Sequence, residues 1–394
     1  MTTGESVKSV MLAAYYFPPM ASVSWMRVTK FAKYLPQAGW TPMVVTVDGR
    51  YYPRTVEGSL PPEVESLDVH RFGYWSWLPV PVAKLLFPVY VLWKTLRSRH
   101  RLDAVVFFGS PFYPFLVVPL VRVLTGLPVV LDLRDGWSTW HEEPKSGRAN
   151  LGTNRIRRLI EKTGFHSACS VVFATEILRR QYAERFSVYR QKFFTVTNGF
   201  DLDDLDSEEL PSDQRKNYVV LAGKFLFYTP RVAQWILETL ADYPDWRFVY
   251  IGEESEAVMS LARSLNAESR VTVKGYLPYR EVLQEIHRAK LCITTNSYSE
   301  GLGTKIFDYL AMRKRVLCFV PSVSEIAKQF EGVPGVTVCR GPHSREGVAA
   351  GLKQAIESEE VSVDSVAGFS RQKKAAQLAK ILDLCVADRG ESEQ

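Results

Sequence analysis

Short runs of consecutive apolar residues alternate along this chain with longer stretches whose apolar positions recur every three or four residues. Val10–Tyr16, Pro42–Val47, Ala104–Phe108, Val129–Leu133 and Ser170–Ala174 read as strands buried on both faces. Between the first two, the spacing predicts a helix over Trp25–Leu35 closed by Gly39. Met26, Val28, Phe31, Ala32 and Leu35 are expected inward, and Arg27, Lys30 and Lys33 outward. Phe112–Leu124 reads as an apolar helix, Arg155–Lys162 as a basic one, and Thr175-Glu176 starts another. Strand, helix and strand in repetition imply right-handed crossovers and a doubly wound parallel sheet. The rhythm breaks after the strand Phe194–Val196, where Asn198-Gly199 marks a turn and Asp203–Arg215 is acidic and polar, a linker. It then resumes, with strands at Tyr218–Leu221, Arg247–Gly252, Val271–Tyr276, Leu291–Thr294 and Val336–Cys339. Helices are expected at Arg231–Leu240, Tyr279–Ala289, Ser324–Phe330 and Phe369–Val386, and Asp388–Gln394 reads as a disordered tail.

A chain of 394 residues suits two domains of ordinary size. With 46% hydrophobic and 23% charged residues it has the composition of a soluble globular protein. The net charge of +6 fits anionic substrates or an anionic membrane surface. It is too weak to imply nucleic acid, and no zinc-finger spacing or basic-aromatic motif supports that class. The five cysteines, Cys169, Cys292, Cys318, Cys339 and Cys385, are scattered and odd in number, which points to reduced, buried thiols in a cytoplasmic protein. No signal peptide is expected, because the first apolar run, Val10–Ala14, is short.

Gly73–Arg101 changes that picture in one place. No acid occurs between Asp68 and Asp103, while Lys84, Lys94, Arg97, Arg99 and Arg101 punctuate Trp75, Trp77, Leu85, Leu86, Phe87, Tyr90 and Trp93. Lys84 and three prolines argue against a spanning helix, and the apolar run falls short of the roughly 20 residues one needs. Two readings stay open: an interfacial segment lying on the inner face of a membrane, or a core helix with a solvated basic face.

The densest candidate chemistry is in Ser299–Pro321, S-E-G-L-G-T-K-I-F-D-Y-L-A-M-R-K-R-V-L-C-F-V-P. Ile306, Phe307, Leu310 and Ala311 form the inward face of a short helix. Lys305 and Asp308 share another face at its beginning. Gly301 and Gly303 let the backbone approach a ligand closely, and N–H groups at Gly303 and Thr304 with Lys305 suit a phosphate. Glu300 and Asp308 suit the hydroxyls of a sugar and a ribose. The bland alternative is a solvated helix start.

This stretch resembles the signature of glycosyltransferase family 4, retaining enzymes of the GT-B fold, in which two acids stand eight positions apart. Here they are Glu300 and Asp308, the second an Asp where Glu is usual. The resemblance implies two Rossmann-like doubly wound α/β domains facing a central cleft. Residues 1–205 are the expected acceptor-binding domain, 206–365 the nucleotide-sugar domain, and 366–394 a helix crossing back to the first domain plus a tail. Gly223-Lys224 matches the turn that grips the donor diphosphate. Thr229 stands where a second base is usual, and Arg231 is the nearest substitute. Gly275-Tyr276 resembles the segment that receives the donor base, and Asn198-Gly199-Phe200-Asp201 the interdomain turn. Pro19 and Ser22 fall in the acceptor-side loop. Asp132-Leu133-Arg134-Asp135 resembles a D-L-R-D segment whose Arg134 or Asp135 touches a sugar; an Asp–Arg pair that merely braces the loop explains it equally well.

What the resemblance implies is transfer of a hexose from a nucleotide diphosphate sugar to a hydroxyl of a carbohydrate or lipid-linked acceptor, with retention, in cell-surface polysaccharide or glycolipid assembly. Lys224, Lys305 and Arg231 would take up the charge of the leaving diphosphate with no metal or other cofactor. Glu300, Lys224 and Asp135 are the expected catalytic residues. Two alternatives stand beside it: a catalytically silent scaffold or regulator, favoured by Asp308 and Thr229, and a nucleotide-sugar epimerase.

Overall fold

A computed structural model describes residues 7–20, 23–55, 62–73, 77, 79–139, 151–204 and 216–392. The chain divides into two compact units, Met1–Thr197 with Arg371–Gln394, and Asn198–Ser370. The expected loop at His141–Arg148 and most of the linker, residues 205–215, lie outside the described residues.

The first unit holds seven parallel strands: β1 (Lys8–Ala14), β2 (Trp40–Val47), β3 (Asp68–Phe72), β4 (Ala104–Gly109), β5 (Val129–Leu133), β6 (Ser170–Phe173) and β7 (Phe193–Thr195). Their order is β3-β2-β1-β4-β5-β6-β7, so the winding reverses between β1 and β4, where Val10 lies beside Pro42 on one side and Ala104 on the other. The two faces of the sheet separate by parity along β1. Met11 and Ala13 join a core with α3 (Val80–Ser98), α4 (Val118–Thr125), α5 (Leu151–Ser167) and α6 (Glu176–Arg185), and Val10, Leu12 and Ala14 face α1 (Met26–Tyr34) on the other side. The short α2 (Pro62–Glu65) precedes β3.

The second unit repeats the plan with β8 (Lys216–Ala222), β9 (Arg247–Ile251), β10 (Val271–Val273), β11 (Ala289–Thr295), β12 (Arg315–Val320) and β13 (Val336–Arg340), ordered β10-β9-β8-β11-β12-β13. One face packs on α7 (Pro230–Thr239), α8 (Ser255–Ser264) and α12 (Arg345–Glu357) through Leu221, Tyr250 and Ile293. The other packs on α9 (Tyr279–Arg288), α10 (Lys305–Ala311), α11 (Glu325–Phe330) and α13 (Val363–Val366) through Val220, Cys292 and Cys318. Finally α14 (Arg371–Ser392) lies in the first unit, where Leu378 and Leu382 share the core of α1.

Several expectations need correction. Arg27 and Lys30 are buried, 3% and 4% exposed, rather than outward, because α14 covers that face of α1. The tail expected from Asp388 is helical through Ser392, since α14 runs on. Cys169 and Cys385 form a disulfide instead of standing as reduced thiols; α14 brings together positions 216 apart in sequence. Cys292 and Cys318 are free and buried, as expected. Phe112–Leu124 divides into a 3-10 turn, Tyr113–Val117, and α4, each with a proline in its first turn where a missing N–H costs nothing. The strand expected to reach Tyr276 stops at Val273, ahead of Gly275 at φ +68°. Elements β3, α8 and α12 were not anticipated; the strand β3, Asp-Val-His-Arg-Phe, is too polar to stand out.

Glu176, the first residue of α6, ties the helix to the end of β7. It accepts from Arg179 at 2.7 Å, from Arg180 at 2.9 Å and from Thr195 Oγ1 at 2.9 Å. The Arg179 hydrogen bonds, helped by Thr195 and Arg180, hold its carboxyl down from 4.5 to about 2. A depressed carboxyl stabilises the fold fully above its unfolded value and ceases to as pH falls through its folded value. Glu176→Gln should therefore melt below the parent at pH 7, with the gap closing between 4.5 and about 2; thermal unfolding across that range checks it.

Candidate functional site

In the second unit the loops leaving β8, β9, β10 and β11 meet along one edge of the sheet. Gly223 donates its N–H to Ile251 O at 2.8 Å, and Gly252 donates to Gly275 O at 2.9 Å. Gly252 has no room for a side chain, since a Cβ there would come within 2.7 Å of Gly223 O. Thr295 at the end of β11 donates through Oγ1 to Lys224 O at 3.3 Å, and the Tyr228 and Tyr298 rings meet edge to face at 5.9 Å. The sequence-predicted residues Gly223, Lys224, Gly275, Tyr276 and Glu300 thus fall on one continuous edge.

Lys224 is exposed, with its ammonium 4.2 Å above the Phe227 ring. Gly223 sits at φ +122°, a backbone reserved for glycine. Glu300 accepts from Ser299 Oγ at 2.9 Å. Gly301 packs against the Asn296 side chain, so its missing Cβ serves loop packing, whereas Gly303 faces open space. Thr304 is the N-cap of α10. Asp308 is 8% exposed; its Oδ1 accepts from Tyr279 Oη at 3.0 Å and its Oδ2 lies 3.6 Å from Lys305 Nζ. The Lys305 ammonium also stands 4.5 Å over the Tyr279 ring. Tyr279 escaped sequence reading, its one signal being its place just after Leu277-Pro278 at the start of α9. Arg231 is exposed in the first turn of α7.

In the first unit a pocket opens at the carboxyl ends of β1, β4 and β5, where open α/β sheets bind ligands. Tyr16, Ser24, Arg27, Ser110, Asp132 and Arg134 line it. Arg27 grips Asp132 with two nitrogens, Nε at 2.8 Å and Nη2 at 2.7 Å, and also donates to Val196 O at 2.8 Å. Asp132 has no exposed surface. Arg134 holds Asp135 through two contacts of 3.0 Å. Burial, then the nearby Arg27, Arg371 and Lys373, bring the Lys374 ammonium of α14 down to about 8.

The segment after Asp135 is braced from below. Trp137 stacks on Phe112 and donates its N–H to Tyr182 Oη at 2.9 Å. Tyr182 donates to Glu161 Oε1 at 2.6 Å, and Ser138 N donates to the same oxygen at 3.2 Å. Burial holds the Glu161 carboxyl above the usual range. Arg71 fixes the other side by donating to Pro18 O at 2.7 Å, beside Pro19. Ser22 lies outside the described residues. Arg27, Asp132, Glu161 and Tyr182 were missed as site residues. Arg27 had left a signal, because it shares a helical face with Phe31, over whose ring it stands at 4.9 Å.

Two family models match consecutive stretches of the chain: a glycosyl transferase 4-like domain over residues 24–199, and glycosyl transferases group 1 over residues 204–375. No curated protein matches it in sequence. Among solved structures it is similar to WaaG, a glycosyltransferase involved in lipopolysaccharide biosynthesis, at 16% identity and a TM-score of 0.61 over 96% of this chain and 98% of that one. It is similar also to sucrose-phosphate synthase from Thermosynechococcus elongatus, at 14% identity and a TM-score of 0.62 over 98% of each chain. The Anabaena protein Alr3699/HepE in complex with UDP-glucose gives 15%, 0.60 and 98% of each. At such identities the structural likeness is one of fold.

The buried pair makes a prediction. Arg27→Met leaves Asp132 buried and uncompensated, and should cost about 3–5 kcal/mol in urea unfolding. Arg27→Met with Asp132→Asn should lose less than Arg27→Met alone.

Proposed function

The chain belongs to the GT-B glycosyltransferases, a glycosyl transferase 4-like domain followed by a glycosyl transferases group 1 domain, and from that premise we propose a retaining hexosyltransferase that works without a metal or other cofactor. Its donor is a nucleotide diphosphate sugar, bound on the second unit. Its acceptor is a hydroxyl of a carbohydrate or lipid-linked molecule, received at the pocket of the first unit, in cell-surface polysaccharide or glycolipid assembly.

The observation that carries this reading is the joined edge of the second sheet, with Lys224 exposed beside Gly223 and Lys305 standing at the start of α10. As the glycosidic bond to the diphosphate breaks, negative charge develops on the leaving oxygens. Lys224 and Lys305 meet that charge, with Arg231 assisting from α7, and a preorganised cation needs no reorganisation at the moment of transfer. Glu300 holds the sugar hydroxyls and so sets the anomeric carbon. Asp308 and Tyr279 together present the polar group that receives the ribose. Asp135, half-exposed and held by Arg134, stands on the acceptor side in the first unit, and Pro19 shapes the acceptor-side loop.

The same proposal includes contact with a cytoplasmic membrane face. Helices α3, α4 and α5 pack side by side on one face of the first sheet. Leu85 and Val89 of α3, Leu120 and Val123 of α4, and Ile156 and Leu159 of α5 are all exposed, Val123 by 79%. Lys84, Arg97 and Arg155 are exposed on the same three-helix layer, and Asp103 is the sole acid between Asp68 and Asp132. Apolar surface with cations and few acids suits an anionic bilayer. Among the described residues no helix is long and apolar enough to cross a membrane.

Two experiments test these readings. Lys224→Ala and Glu300→Ala should each lower sugar transfer by roughly a hundredfold or more while the melting temperature holds; full activity in both sinks the site assignment, and nucleotide binding with no turnover in the parent favours a silent scaffold. The protein should co-sediment with vesicles containing phosphatidylglycerol but not with phosphatidylcholine alone. Leu85→Glu with Val123→Glu should abolish that binding, and no vesicle binding by the parent removes the membrane from the proposal.

A further inference from the structure

Glu254 stands at the N-cap of α8, yet its side chain caps nothing there. The carboxylate turns to the loop after β8. Oε2 accepts the N–H of Phe225 at 2.5 Å and of Leu226 at 3.2 Å, and Oε1 accepts that of Phe227 at 2.7 Å. Three successive backbone N–H groups converging on one group form an anion-binding concavity. In this chain its occupant is a side chain of the protein itself. Tyr250 closes the arrangement: its hydroxyl donates to Gly223 O at 2.9 Å and accepts from Glu254 N at 3.1 Å.

The loop is thereby tied along its length. Gly223 is held at both its N–H and its carbonyl, Lys224 at its carbonyl by Thr295, and the next three amides by Glu254. The Lys224 side chain is exposed and rests on the likewise exposed Phe227 ring, whose own backbone is the third amide held by Glu254. Charge-assisted hydrogen bonds to N–H groups are stronger than neutral ones. A lysine otherwise surrenders much rotamer freedom when it binds.

We propose that Glu254 is a positioning residue for the donor site: by filling the amide concavity of Phe225, Leu226 and Phe227 it fixes the loop that presents Lys224, and directs a nucleoside diphosphate to that ammonium rather than to the amides. The proposal rests on the reading of Lys224 as a diphosphate ligand.

Calorimetric titration with UDP, GDP and ADP tests it on the full chain, using the nucleotide that binds most tightly. Glu254→Ala should weaken that nucleotide roughly tenfold, the cost of leaving one long side chain unordered before binding, and Glu254→Gln should fall between it and the parent. In a Lys224→Ala background the Glu254→Ala change should cost less than twofold, a coupling that a purely structural role would not produce. Should Glu254→Ala fail to fold, Glu254→Gln and Tyr250→Phe carry the same comparison, each weakening the nucleotide in the parent background and not in Lys224→Ala. Unchanged affinity, or an equal loss in both backgrounds, overturns the positioning role. Tighter binding overturns it as well, since the carboxylate would then compete with the diphosphate for the amides. If Lys224→Ala itself leaves binding intact, or no nucleotide binds the parent, the donor-site reading falls and takes the proposal with it.

Discussion

A parallel strand is joined to its neighbour only by a crossover that carries the chain back to the starting edge, so the loops leaving the carboxyl ends collect along one edge of each sheet. Everything chemical in this protein depends on that constraint. Gly223, Gly252 and Gly275 leave three different strands, yet Gly223 bonds to Ile251, the neighbour of Gly252, and Gly252 bonds to Gly275. In the first unit the ends of β1, β4 and β5 meet where the strand order reverses, and the pocket stands there. The apolar runs that build the sheets therefore also determine where the polar residues meet.

Charge is handled differently in the two places. Around the first pocket, cations and acids are matched at close range: Arg27 with Asp132 and Arg134 with Asp135. A buried pair of this kind holds geometry more than it adds stability, since desolvation offsets much of the attraction. In the second unit Asp308 and Tyr279 hold Lys305, while Lys224 lies on an aromatic face. A cation held by a ring surrenders less on meeting phosphate than one locked to a carboxylate. The acid at the β8 loop, Glu254, is engaged with backbone amides.

The C-terminal helix makes the first unit discontinuous in sequence. Asp383 accepts from Lys8 Nζ at 2.7 Å and from Trp40 Nε1 at 3.1 Å, and Cys385 is bonded to Cys169. These contacts join the last helix to the first two strands and to the start of β6. They also explain the burial of Arg27 and Lys30, whose face of α1 would be open to water without it.

Much of the fold is legible in the amino-acid sequence. Short continuous apolar runs such as Ala104–Phe108 suit strands buried on both faces, and their alternation with helical spacing implies parallel sheets. Gly223-Lys224 and Ser299–Pro321 are recognisable through their resemblance to glycosyltransferase motifs, and at Gly223 the backbone, at φ +122°, also favours glycine. What escapes is whatever depends on a partner distant in sequence. Arg27 reads as a solvated base, yet α14 covers it and Asp132 meets it across 105 positions. Nothing near Glu254 in sequence marks it as the partner of the β8 loop, and Cys169 and Cys385 read as isolated thiols. Helical and strand periods are set by neighbours a few residues apart, and the chain carries them openly. The pairing of a buried charge, a carboxylate or a thiol is settled by which loops and helices the crossovers bring together, and that only the tertiary structure decides.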